Sequence, residues 1–164
     1  MSDFLEKFDL GKLLKYLLYM MLSLMAQNMI VGQIRIAGVA PMILPAVAVA
    51  MGMFKGATWG PIFCIVMGIF ADMSFVENTV AFTILLPVLS FGAGFVAQYF
   101  VNRRFFAFMG MTLLALFLTA LFQMVKTVAA DSFSMSMIPT VILQTLISLP
   151  PSALAYFPPA KWIG

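Results

Sequence analysis

The chain has no histidine, one cysteine and six acidic residues among its 164 positions. Without histidine it lacks the commonest general base and the commonest metal ligand. The lone Cys64 allows neither an internal disulfide nor a thiolate cluster. It sits within an apolar run, where cysteine acts as a small buried hydrophobe. The sequence shows no Walker A loop and no phosphate-binding glycine fingerprint. Charge is scarce: 9% of residues are ionic, against about 25% in soluble domains. Beyond the N-terminal segment the only acids are Asp72, Glu77 and Asp131, and nothing marks two of them as a catalytic pair. These absences argue against an enzyme, and no catalytic residue, cofactor or metal site is expected. The net charge of +3 is small and dispersed, so no nucleic-acid partner is expected either.

What the chain has is apolar length. It is 63% hydrophobic, with a mean hydropathy of +1.08. Long uncharged runs follow one another, as in a polytopic membrane protein. The expected fold is an all-α helical bundle with about six transmembrane helices in a single integral membrane domain, residues 1–164. Residues 1–12 form a short cytoplasmic or interfacial segment. Its mixed charges and interleaved Phe4, Leu5 and Phe8 suit an amphipathic interfacial helix or a polar tail equally. No cleavable signal peptide is expected, because residues 1–15 are too charged and no small-residue cleavage site follows. The fifteen methionines suit a plastic apolar surface.

The expected helices cover 13–30, 37–54, 56–73, 80–100, 105–128 and 136–156. Pro45 should kink the second unless that helix starts later. Pro87 should kink the fourth, and Pro150-Pro151 should break or kink the sixth. Six crossings put both termini on one side. That side then holds Lys7, Lys12, Lys15, Lys55, Arg103, Arg104 and Lys161, while the other holds Arg35 and Lys126. The basic excess places the termini in the cytoplasm. Arg103 and Arg104 form a cytoplasmic basic turn, and Lys55 belongs to the same orientation signal.

The organising stretch is residues 56–72, GATWGPIFCIVMGIFAD, preceded by Lys55. Gly56, Gly60 and Gly68 space an uncharged run, and small residues let another helix backbone come close. These glycines suit packing inside the bundle or contact with a partner. Asp72 ends the run. A carboxylate there is costly in lipid and should face protein or water. Three roles fit it: a hydrogen bond that fixes neighbouring helices, contact with a partner, or an ion or substrate site. Its place near a helix end favours the first two.

A basic residue, Gly-x-x-x-Gly, an apolar run and Gly-x-x-x-Asp together resemble the family of the rod-shape-determining protein MreD. Here the pattern reads Lys55, Gly56, Trp59, Gly60, Gly68, Ile69, Phe70, Ala71, Asp72. The similarity extends from Pro41 upstream to the glycine-bearing fourth helix and the Asn102-Arg103-Arg104 turn. It implies a non-enzymatic scaffold of the bacterial cell-elongation complex, in the inner membrane. That scaffold supports rod shape and lateral peptidoglycan synthesis through association with the bitopic protein MreC. The wider complex holds MreB, RodA and its transpeptidase. The family's fold also resembles the S component of energy-coupling-factor transporters, so the rival expectation is a vitamin-binding transporter subunit. Such a subunit needs a polar pocket near the outer face, and the candidates are few: Asp72, Glu77, Asn78, Gln123 and Asp131. A small secondary transporter fits less well, because no internal repeat relates the two halves.

Overall fold

The computed structural model describes residues 10–31, 33–34, 41–74, 80–99, 105–157 and 161. Among the described residues every regular element is helical. Helix α1 spans Leu10–Met25 and continues as a π-helical segment, Ala26–Val31. Helix α2 spans Leu44–Ser74, α3 Ala81–Tyr99 and α4 Phe105–Ala130. Helix α5 spans Met137–Ala153 and tightens into a 3-10 turn at Leu154–Tyr156. Four of these helices, α2 to α5, are long and apolar enough to cross a membrane. By length and composition the chain is a multi-pass membrane protein.

The expected helix 56–73 and residues 44–54 of the expected helix 37–54 fall within α2. Inside it Gly56 is not helical, with φ 83° and ψ 178°. That backbone region is essentially restricted to glycine. A straight helix would hold positions 52 and 60 about 12 Å apart. Instead, a Cβ built on Gly60 would lie 2.8 Å from the Cα of Gly52. The limbs 44–55 and 57–74 therefore fold back on each other in an antiparallel hairpin with Gly56 at its apex.

The first limb is the core of the molecule. From Ile43 to Met53 every residue is buried. Ala46, Ala48 and Ala50 are completely covered, and Val47, Val49, Met51 and Met53 are each 1% exposed. A helix apolar all round can be buried all round, and its alanines and Gly52 keep it thin enough to be enclosed. Helix α2 touches each of the other helices.

The outer helices show the reverse pattern. Ile84, Val88, Phe91 and Phe95 form an exposed stripe on α3, as do Ile138, Ile142 and Leu146 on α5. Large exposed apolar faces are rare on soluble monomers and mark a surface that meets lipid or protein. Four buried hydroxyls are satisfied within their own helices. Ser23, Thr119, Thr145 and Ser148 each donate to the carbonyl four residues back. That local bond is how a helix conceals a hydroxyl in apolar surroundings.

Two details differ from the expectation. Helix α2 begins at Leu44, so Pro45 sits at its start, where its missing N–H costs nothing. Residues 41–43 are not helical. Helix α5 runs through Pro150 and Pro151 to Ala153. There the Ser152 hydroxyl donates to the Leu149 carbonyl at 2.6 Å.

Candidate functional site: the glycine hairpin and its aspartate cap

Helix α3 lies antiparallel against the hairpin, and the contact points descend in step. Gly94 meets the backbone of Gly56 and Ala57, Gly60 meets Ser90, and Gly68 meets Phe82 and Thr83. At each point the space for a Cβ is already filled. On Gly60 it would stand 2.6 Å from Ser90 Oγ, and on Gly68 2.7 Å from the Phe82 carbonyl oxygen. On Gly94 it would stand 2.7 Å from the Ala57 nitrogen. Gly52 is the tightest, because a Cβ there would overlap the Ser90 carbonyl. Three backbones thus meet around Ser90, whose buried hydroxyl lies beside the Cys64 thiol. Gly56 plays a different part. Nothing lies within 4 Å of its Cβ position, so its requirement is conformational.

Asp72 closes the far end of the same joint. Its Oδ1 accepts from the Phe82 N–H at 3.1 Å. Its Oδ2 accepts from the Thr83 N–H at 2.8 Å and from the Thr83 hydroxyl at 2.7 Å. The first turn of a helix has free N–H groups and a partial positive charge, and a carboxylate answers both. Asp72 therefore caps α3 from the end of α2, across a link of residues 75–80. Sequence reasoning offered the helix-fixing role but had no means of naming Phe82 and Thr83.

A second polar group holds the entrance to the buried limb. Backbone without helical bonds is tolerated at membrane depth only where protein or water satisfies it. Gln27 Oε1 accepts from the Ile43 N–H at 2.6 Å, and its Nε2 donates to the Pro41 carbonyl at 3.3 Å. Ser148 Oγ accepts from the Met42 N–H at 2.9 Å. Gln144 donates to Gln123 at 3.3 Å, and Gln123 to the Met42 sulfur. Gln27, Gln123, Gln144 and Ser148 come from three elements and converge on residues 41–43. The sequence signal was present, since Gln27 interrupts an apolar run.

The remaining candidates are dispersed. The Lys55 ammonium lies over the Tyr16 ring, 5.2 Å from its centroid. Next to it in sequence, Phe54 packs on the Tyr156 ring, which also meets Phe105 and Phe108 from the start of α4. Asp131 is exposed just after α4. Glu77, Asn78, Arg103 and Arg104 lie outside the described residues. Among the described residues no three His, Cys, Asp or Glu side chains come together as a metal site. An open groove of about 770 Å³ runs between α1 and the second limb of α2 and is lined almost wholly by apolar side chains.

Comparison with family models, with curated proteins and with solved structures finds no match to this chain.

Proposed function

We propose that the chain is a non-enzymatic membrane scaffold of the bacterial cell-elongation complex, similar to MreD. It acts by holding an MreC-like bitopic protein, in the wider company of MreB, RodA and its transpeptidase. The observation that carries this reading is the use made of the MreD-like residues. Gly60 and Gly68 bring backbones together, Gly56 turns the chain, and Asp72 caps the adjoining helix. All four serve helix-to-helix architecture. The Asp72 oxygens already accept three hydrogen bonds, which leaves little of the carboxylate to bind a substrate.

In this reading the limbs of α2 are two crossings, giving six in all, with both termini in the cytoplasm of the inner membrane. The first limb measures about 18 Å. It crosses with the help of residues 41–43, whose backbone is satisfied by Gln27 and Ser148. The vitamin-binding alternative would draw on a pocket with several convergent polar groups. The Asp72, Gln27, Gln123, Gln144 and Ser148 side chains are instead engaged with backbone or with other side chains.

Co-expression with the MreC-like protein of the same genome tests the proposal. The two should purify together in detergent at a fixed ratio, and depletion of this chain should make rod-shaped cells round. Tight, stoichiometric binding of a vitamin-sized ligand by the purified chain, with no recovery of the bitopic partner, would favour the transporter reading instead.

A further inference from the structure

The groove between α1 and the second limb has a charge pattern that the scaffold reading does not use. Its walls are apolar, with Leu17 and Met20 on one side and Val66 and Phe70 on the other. Both of its charged lining residues, Lys12 and Lys55, lie at one end. Lys12 is one helical turn before Tyr16, and the Lys55 ammonium lies over the Tyr16 ring. Further along, Phe63 packs against Tyr16 and Tyr19, with ring centroids 6.2 Å and 6.4 Å apart. The two helices therefore run side by side in the same direction, with the basic end at the start of the second limb. No carboxylate lines the groove among the described residues.

We propose that this groove binds one anionic phospholipid, with its phosphate between Lys12 and Lys55 and an acyl chain laid towards Val66 and Phe70. An ammonium has three donors and can hold more than one partner at once. From position 57 to position 70 the second limb rises about 20 Å. One leaflet of the hydrocarbon core is about 15 Å deep, so an acyl chain fits lengthwise. Under the six-crossing topology the basic end faces the cytoplasmic leaflet, where anionic headgroups are concentrated. The site depends on the chain's lying in a membrane and not on the identity of its partner.

Native mass spectrometry of the intact protein, released from nanodiscs holding equal phosphatidylglycerol and phosphatidylcholine, tests this. One phosphatidylglycerol should stay bound, preferred by about 30-fold, the factor two membrane-adjacent lysines contribute. Lys12→Gln/Lys55→Gln should retain the two lipids equally. Lys12→Arg/Lys55→Arg should keep the preference. Val66→Trp, at an outward-facing position, should expel both lipids while leaving thermal stability unchanged. Three results would overturn the proposal: no preference in the wild type, a preference that survives loss of both lysines, or a groove shielded from thiol labelling at position 66 only when a bitopic protein is bound. Inorganic phosphate should not compete at millimolar levels; if it did, the acyl chain would not be part of the recognition and the site would not be a lipid site.

Discussion

Gly60→Leu should lower the thermal midpoint of the detergent-purified protein by roughly 6–12 °C. Gly60 faces two other backbones at once. Even a Cβ there would stand 2.8 Å from the Gly52 Cα and 2.6 Å from Ser90 Oγ. Neither limb can yield without opening the hairpin. Overpacking of this kind costs about 3 kcal/mol, and each kcal/mol moves the midpoint by about 2–4 °C in a chain of this size. Gly68→Leu should act similarly, because it meets the backbone of Phe82 and Thr83. Gly92→Leu is the control: it lies two residues from the packed Gly94 but has nothing within 4 Å of its Cβ position. Its midpoint should not move. The only cysteine, Cys64, is fully buried. A thiol-reactive dye therefore reports unfolding without any added probe. A wild-type midpoint for Gly60→Leu would show that the backbones do not meet there.

Asp72→Ala should destabilise the protein by about 2–3 kcal/mol, as expected for loss of a helix cap with charge-assisted bonds. The substitution leaves the Phe82 and Thr83 N–H groups without their acceptor. It also removes a negative charge from the positive end of α3. Asp72→Asn should fall between, since an amide keeps one acceptor oxygen but not the charge. Insertion should be unaffected, because the apolar length of α2 is unchanged. The same dye assay separates these outcomes. Equal midpoints for Asp72→Ala and the wild type would remove the cap from the account.

Much of this fold is visible in the sequence because apolar runs separated by polar turns are enough to place membrane helices. The boundaries of α3, α4 and α5 follow the hydrophobic pattern closely. Burial is another matter. In a membrane, residues facing lipid and residues facing protein are both apolar, so hydropathy cannot tell the enclosed limb 44–55 from the exposed face of α3. Residue size can. Ala46, Ala48, Ala50 and Gly52 are the signature of enclosure. The start of α2 was misplaced because apolarity continues upstream of Leu44, while Pro41 and Pro45 leave the backbone there to be bonded by side chains. Gly52, Ser90 and Gly94 were not legible as parts of one joint. Their proximity depends on the antiparallel register of α3, which no local pattern encodes. Asp72 was legible as a polar mark. Its acceptor role depends on a link that returns Phe82 and Thr83 to the end of α2.

The reversal at Gly56 is tested most directly by the sidedness of three positions. Single cysteines at Gln33, Lys55 and Met73, each in a Cys64→Ala background, would be labelled with a membrane-impermeant maleimide. The labelling would be done in intact spheroplasts and in inside-out vesicles. With the hairpin, positions 33 and 73 should label from the periplasmic face and position 55 from the cytoplasmic face. A straight α2 would instead put 33 and 73 on opposite faces and leave 55 unlabelled within the bilayer, and that pattern would contradict the account.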